Sequence, residues 1–162
     1  KYGVDRARRV LEIAGRRGIS VIRAMGESLP FPNGTFGAVF LIATLCFVDD
    51  PRKVLREAFR VLRSGGSVIM GLILRGSPWA SFYQEKGRRG HIFYRIARFY
   101  AMGEVERMLA EAGFKISGVC STIFQPPTEG PLHPETPRPG YHQRAGFIAI
   151  KARRKGEAQA VT

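Results

Sequence analysis

Hydrophobic residues form continuous runs along this chain, separated by segments in which they recur periodically. Continuous apolar runs such as 36–45 are typical of strands that are buried on both faces of a parallel sheet. Shorter runs rich in β-branched residues also favour strands. The strands predicted on this basis lie near 2–5, 19–24, 37–44, 67–74, 115–124 and 146–152.

Between these runs, apolar residues recur at the three- and four-residue spacing of an amphipathic helix. In the first such segment the stripe consists of Ala7, Val10, Leu11 and Ala14. In the second, Asp49-Asp50-Pro51 supplies an acidic cap and a proline for the first turn, and Gly65-Gly66 is predicted to end the helix. Helices are therefore predicted near 6–16, 51–63 and 103–112.

Strands and helices that alternate in this way predict an α/β fold with a doubly wound parallel sheet. The last two strands have no helix between them, so one strand is expected to be antiparallel. We expect one domain over 1–152 and a tail over 153–162. Within the domain, the aromatic and basic segment 75–102 is expected to form a helical, lid-like insertion, and 125–145 a proline-rich loop.

Charge and cysteine content narrow the choice of partners. The net charge of +13 would suit anions, RNA or an acidic surface, but the basic residues are scattered and no aromatic RNA-binding signature interleaves them. A nucleic-acid partner is therefore possible, but a basic surface that is simply solvated is favoured. Cys46 and Cys120 lie in apolar runs, which indicates small buried residues rather than a disulfide or a metal site. No apolar run approaches a membrane span, and a cytoplasmic location is expected.

Three motifs together go beyond a generic α/β pattern. They are GVDR at 3–6, GESLPFPNGTF at 26–36, and FVDDP at 47–51 followed by REAFRVLRSGG at 56–66. In this order and spacing they resemble the type-11 class I S-adenosylmethionine-dependent methyltransferases, the group that includes the ubiquinone and menaquinone methylases. The resemblance covers the chain from Gly3 to about Phe114. It implies a Rossmann-like sheet in the order 3-2-1-4-5-7-6, with the cofactor at the carboxyl ends of its strands.

The resemblance also implies the residues that contact S-adenosylmethionine. The acid that ends the second family strand holds the ribose hydroxyls, and here it is Asp5, followed by Arg6. The adenine pocket precedes the LPFP turn, at Met25, Gly26 and Glu27. The methionine portion lies at the end of the fourth family strand, at Ile42, Ala43 and Thr44. Each of these residues could instead serve ordinary turn or strand-end packing.

This sequence departs from the family pattern in three places. Met25 stands where relatives commonly have an aspartate that binds the adenine amine. Leu45-Cys46-Phe47 stands where many relatives have a histidine, so no histidine base is carried over. The glycine-rich motif that follows the first family strand is missing, and the chain does not begin with Met. We expect a chain cut from a longer protein, although a removed Met or tag is an alternative. Between Gly3–Asp5 and 39–42 we expect either a slot or a local rearrangement that closes it.

Candidates for the acceptor site are few, and no catalytic residue or metal ligand is assigned. Tyr83, His91 and Tyr94 in the insertion could contact the acceptor, or could serve as lid packing. His133 and His142 are expected to be solvated. The sequence thus predicts methyl transfer from S-adenosylmethionine to a small acceptor beneath a lid. An RNA methyltransferase and a non-catalytic truncated fragment are the alternatives, and the oligomeric state is open.

Overall fold

A computed structural model describes residues 1–156 of the chain. Its strands are β1 (Tyr2–Asp5), β2 (Ser20–Arg23), β3 (Phe36–Ile42), β4 (Leu62–Leu72), β5 (Phe114–Thr122), β6 (Arg138–Pro139) and β7 (Phe147–Arg154). Its helices are α1 (Arg8–Arg16), α2 (Pro51–Val61), α3 (Pro78–Arg88) and α4 (Met102–Glu111), with a short 3-10 helix at Leu45–Phe47. The predicted α/β class is confirmed, and most predicted elements match within one to three residues.

The larger of two sheets has five strands in the order β3-β4-β7-β5-β6. β3 and β4 are parallel, whereas β7 runs antiparallel to both β4 and β5. A right-handed crossover helix is needed only between parallel neighbours, which is why β5 and β7 can be joined by the proline-rich loop. The core lies between this sheet and the helices α2 and α4; Leu55, Leu109 and Ile150 are among its fully buried side chains.

The smaller sheet consists of β1 and β2, which are parallel and are connected by α1. Among the described residues, β1 pairs only with β2, and β3 pairs only with β4. β1 and β3 thus have no hydrogen-bonded ladder between them, and the space between these two strands is called the slot below. Tyr2 closes one end of it by packing edge-on against Phe36, with ring centroids 6.0 Å apart. At the other end, Arg6 Nη1 lies 3.4 Å from Asp49 Oδ2.

These two contacts also give the direction of β1 relative to β3. Tyr2 begins β1 and Phe36 begins β3, while Arg6 and Asp49 each follow the carboxyl end of one of those strands. The two strands therefore run the same way, although no backbone hydrogen bond joins them. Their carboxyl ends lie at the same edge of the molecule, where open α/β sheets bind ligands.

Two predictions about element ends are wrong. The helix predicted to run to residue 63 and to stop at Gly65-Gly66 ends at Val61, and β4 begins at once. The glycine pair instead forms an irregularity within β4, where the register against β3 shifts. The tail predicted from Arg153 begins later, because Arg153 and Arg154 complete β7. Arg154 Nη1 donates to the carbonyls of Phe59 and Leu62, which satisfies acceptors at the end of α2.

The proline-rich loop and the insertion each contain a short element of regular structure. The proline-rich loop contains one additional two-residue strand, β6, which pairs with the end of β5. The insertion holds α3 and a turn-rich segment, 91–96, and these lie over the carboxyl end of the larger sheet. Residues 157–162 of the predicted tail fall outside the described residues. No helix within 1–156 combines the length and apolar character that a membrane span requires.

Candidate active site

Asp5 is the last residue of β1, and one of its two carboxylate oxygens accepts a hydrogen bond from the backbone. Its Oδ1 accepts a hydrogen bond of 2.7 Å from Ala7 N, at the start of α1. A carboxylate in this position satisfies a donor of the first helical turn. Within residues 1–156 no protein group donates to Asp5 Oδ2, and the side chain is only half-buried. This oxygen can accept a hydrogen bond from a ligand hydroxyl.

The 25–27 segment forms a tight turn that joins the small sheet to the start of α2. Ser28 N donates to Met25 O at 3.1 Å, and the Met25 side chain remains 38% exposed. Gly26 lies against Val54, so that an added Cβ would come within 3.3 Å of a Val54 methyl carbon. The Met25 side chain is therefore accessible to a ligand, while Gly26 permits the close approach of the turn to α2.

Glu27 is buried, and its side chain is committed to the protein itself. Its Oε1 accepts hydrogen bonds from Asp49 N at 3.1 Å and Asp50 N at 3.4 Å, at the beginning of α2. Buried carboxylates require such partners. One oxygen of the Glu27 carboxylate therefore holds the backbone at the beginning of α2.

The end of β3 supplies the next set of predicted site residues. Ile42 is 53% exposed, and Thr44 Oγ1 donates to Ile42 O at 3.3 Å. Ala43 has a φ of +50°, a conformation that L side chains adopt at a cost, and its N–H donates to Gly71 O at 2.9 Å. Strained backbone of this kind often occurs at functional sites, because the surrounding structure must hold it in place.

A cavity of about 290 Å³ opens beside Ala43, beneath the insertion. Its floor comes from the carboxyl ends of β3 and β4, at Ala43, Cys46 and Leu72 to Leu74. Its walls are aromatic: Phe47, Tyr83, Phe93, Tyr94, Phe99 and Tyr100. Ala43 thus belongs both to the strand end that is predicted to contact the cofactor and to the cavity wall.

Tyr83 and Tyr94 are brought together in that wall, with ring centroids 4.3 Å apart. Burial, together with the neighbouring Tyr94 hydroxyl, raises the pKa of Tyr83 above its ordinary value, so that the phenol is a hydrogen-bond donor at neutral pH. His91 is not part of the cavity lining. It is exposed and stacks on Tyr94 at 4.5 Å, on the outside of the insertion. The close approach of α3 to this segment requires Gly87, where a Cβ would lie 2.6 Å from Tyr94 O.

Of the residues that line the cavity, only Ala43, Tyr83 and Tyr94 were predicted as site residues; Cys46, Phe47 and Arg98 are among those that the sequence did not indicate. Cys46 is half-buried and donates to Ala43 O at 3.3 Å, and burial raises its pKa to about 11. Phe47 and Cys46 directly follow a strand that was predicted correctly, so their position at a strand end was an available signal. Arg98 reaches the cavity only through the fold of the insertion, and no local sequence pattern indicates it.

Comparison with known proteins agrees with this geometry. Residues 1–70 match the family model of a methyltransferase domain. An uncharacterized protein of Mycobacterium tuberculosis is 42% identical over 152 residues, which is 94% of this chain and 53% of that protein. The chain therefore spans about half the length of the curated relatives that it matches first.

Two further matches are to proteins described as methyltransferases. The crystal structure of a Thermotoga maritima protein, described as an S-adenosylmethionine-dependent methyltransferase and possible histamine N-methyltransferase, superposes with a TM-score of 0.88 at 34% identity, covering 96% of this chain and 73% of that one. A ubiquinone/menaquinone biosynthesis C-methyltransferase of Enterobacter is 34% identical over 100 residues, or 58% of this chain and 38% of that protein. Since fold, sequence and strand-end geometry agree, the chain belongs to the S-adenosylmethionine-dependent methyltransferases, in the group that includes the ubiquinone and menaquinone methylases.

Proposed function

We propose that the protein transfers the methyl group of S-adenosylmethionine to a small acceptor bound in the aromatic cavity. The observation that carries this proposal is the position of Ala43. It lies at the carboxyl end of β3, where the family binds the methionine portion of its cofactor, and it also lines the cavity. A methyl donor at the strand end and an acceptor in the cavity would therefore be neighbours.

The residues present fit S-adenosylmethionine at three positions. Asp5 has a carboxylate oxygen without a protein partner among the described residues, and a carboxylate suits ribose hydroxyls. Met25 offers an exposed thioether that can pack on the face of an adenine ring. Ala43, directly after β3 and before Thr44, has a strained backbone with a positive φ. Arg6 and Ile42 flank these groups, although Arg6 is already engaged with Asp49.

The chain's own residues have three tasks in this proposal. When bound, S-adenosylmethionine supplies a methyl group on a positively charged sulfur, which becomes a neutral thioether as the methyl passes to the acceptor. Asp5 and the 25–27 turn hold the donor in place. The aromatic walls orient the acceptor against the Ala43 side of the cavity and exclude water.

The cavity offers no evident base for the acceptor. The part of the chain that the structure describes contributes no carboxylate and no imidazole to its lining, and Cys46 and Tyr83 hold their protons at neutral pH. An acceptor that must lose a proton would therefore lose it before binding, or lose it to water. This arrangement favours an acceptor atom that is already nucleophilic.

The test uses the full-length protein and separates donor binding from transfer. Calorimetry should detect S-adenosylmethionine binding, and tritiated cofactor should label an acceptor from a panel of hydroxylated aromatics, aromatic acids and amines. Histamine belongs in that panel because the Thermotoga maritima relative is described as a possible histamine N-methyltransferase. Absence of cofactor binding by the full-length protein would contradict the proposal. The RNA and fragment alternatives stay untested predictions.

A further inference from the structure

We propose that the aromatic cavity selects an acceptor with one or two fused rings and an anionic substituent, and that Arg98 at its rim recognises this anion and excludes amine cations. The inference rests on the proposed function, because it names the acceptor class of the same site. It depends on three properties of the cavity: its volume, its hydrogen-bonding groups and its charge.

The volume limits the size of the acceptor. At about 290 Å³ the cavity is roughly twice the size of a cavity that holds a single benzene ring, which is about 150 Å³. Its walls present flat rings, with Tyr83 and Tyr94 nearly parallel at 30°. Planar aromatic ligands stack on such walls with favourable offset or edge-on geometry. A bicyclic ring system would fill the space that the walls enclose.

The polar groups of the cavity are donors and cations rather than anions. Tyr83 keeps its O–H at neutral pH, and Cys46 is a neutral thiol whose hydrogen already bonds Ala43 O. Among residues 1–156, Arg98 is the only charged residue that lines the cavity. A ligand anion would find hydrogen-bond donors here, whereas a ligand ammonium group would find no carboxylate to compensate it.

Arg98 is placed at the rim by its backbone. Its N–H donates to Cys46 O at 2.9 Å, which ties the insertion to the floor of the cavity. In its side chain, Nη1 donates to Asp49 O at 3.3 Å, and within residues 1–156 no carboxylate forms an ion pair with this guanidinium. The Asp49 carboxylate is engaged by Arg6. Arg98 therefore has donors available for a carboxylate, phenolate or similar anion.

Six aromatic walls could also favour a cation through their electron-rich faces. Two observations argue against that reading. A bound ammonium group would lie in the cavity that Arg98 also lines, and like charges repel each other. The 162 residues of this chain have a net charge of +13, which attracts anions and repels cations at long range.

A matched set of probes tests the proposal by binding alone. 2-Naphthoate, 2-naphthalenemethanol and 2-naphthylmethylamine share one ring system and differ in charge. Calorimetry on the full-length protein should give an affinity for 2-naphthoate about tenfold higher than for the amine, with the alcohol between them. Arg98→Gln should weaken 2-naphthoate about fivefold, the most that an exposed ion pair usually contributes, and leave the alcohol unchanged. Arg98→Glu should reverse the order of acid and amine.

Arg95→Gln is the control, because Arg95 is an exposed arginine of the same segment that does not line the cavity. It should leave all three affinities unchanged. The proposal is overturned if the amine binds as tightly as the acid, if Arg98→Glu does not change the order, or if no probe binds. S-adenosylmethionine binding is measured in parallel. If the protein prefers 2-naphthoate to the amine but does not bind S-adenosylmethionine, the acceptor class is supported and methyl transfer is refuted. If it binds S-adenosylmethionine but does not distinguish the acid from the amine, methyl transfer is supported and the acceptor class is refuted.

Discussion

Arg60 and Glu57 lie three residues apart on α2 and meet in a bidentate ion pair, with Nε 2.7 Å from Oε1 and Nη2 2.8 Å from Oε2. Both side chains also hold the LPFP turn. Arg60 donates to Leu29 O at 2.9 Å and Phe31 O at 2.7 Å, while Glu57 Oε2 accepts from Leu29 N at 2.7 Å. The pair is 31% and 18% exposed, respectively. It joins the segment between the two sheets to the helix behind them.

We expect Arg60→Lys to lower the free energy of unfolding by about 1–3 kcal/mol, the cost of leaving partly buried carbonyl groups without their donors. A lysine cannot form the bidentate pair and reach two carbonyls at once. Arg56→Lys, one turn earlier on α2, is the control, since Arg56 is 60% exposed and lies 3.8 Å from Asp50. Urea denaturation should show no more than about 0.5 kcal/mol for the control. If the two substitutions lowered the free energy of unfolding equally, Arg60 would not stabilise the LPFP turn in the way described.

The same pair gives a pH dependence of stability. The hydrogen bond from Arg60 holds the pKa of Glu57 below its ordinary value of 4.5. A carboxyl group whose pKa is lower in the folded state stabilises the protein above its unfolded pKa and loses that contribution as pH falls through the folded pKa. We expect the wild type to be more stable than Glu57→Gln at pH 7. This difference in the free energy of unfolding should become smaller as the pH falls below 4.5. Urea midpoints at pH 7, 5, 4 and 3.5 measure this, and a constant difference would contradict it.

The LPFP turn illustrates what the sequence could reveal. Its residues were identifiable by resemblance to the family. The reason for their pattern is the set of hydrogen bonds that Glu57 and Arg60 make to the turn, and these contacts cannot be read from the order of the residues. Strands and helices followed from hydrophobic spacing because burial on a sheet or helix face repeats with a fixed period. The role of Arg154 could not be predicted in this way, since at the end of α2 it contacts Leu62, which lies 92 residues earlier in the chain.

The candidate site divides in the same way. Asp5 and Ala43 were predicted because the resemblance to the methyltransferase family implies them, and the structure shows where they lie without testing whether they bind the cofactor. Arg98 and Phe99 were missed because a cavity wall assembled from a loop has no periodicity. His91 was a candidate for the acceptor site by composition, but stacking on Tyr94 holds it outside the cavity.

We expect Asp5→Ala to weaken S-adenosylmethionine binding by the full-length protein by about 1.5–3 kcal/mol, as for the loss of a hydrogen bond to a charged group. Asp5→Asn separates binding from folding, because an asparagine oxygen can still accept from Ala7 N. It should retain stability and lose part of the affinity. Glu12→Gln on α1 is the control, since this carboxylate pairs with Arg8 on an exposed face. Unchanged calorimetric affinity in both Asp5 variants would remove Asp5 from the site.

Cys46 should react slowly with iodoacetamide at neutral pH, because its thiol, with a pKa of about 11, is almost entirely protonated. In a Cys120→Ser background, the rate of alkylation should rise about tenfold per pH unit between 7 and 9. Saturating 2-naphthoate should slow the reaction by filling the cavity that Cys46 lines. Mass spectrometry of the modified peptide measures both effects. Rapid modification at pH 7 would show that the thiol is ionised or lies outside the cavity.

The 162-residue chain by itself should be only marginally stable, because two strand edges face each other without a ladder between them. The backbone groups of β1 and β3 on the slot side lack strand partners among the described residues, and Phe40 and Ile42 are 66% and 53% exposed. Unpaired strand edges favour association with other chains. Folded domains have only about 5–15 kcal/mol of net stability, so a few unmade contacts matter. We expect a broad thermal transition, aggregation on heating, and little effect of S-adenosylmethionine on the midpoint. Differential scanning calorimetry with and without the cofactor measures all three. A sharp, reversible transition that moves upward by several degrees with cofactor would show instead that β1 and β3 form a working site without a strand between them.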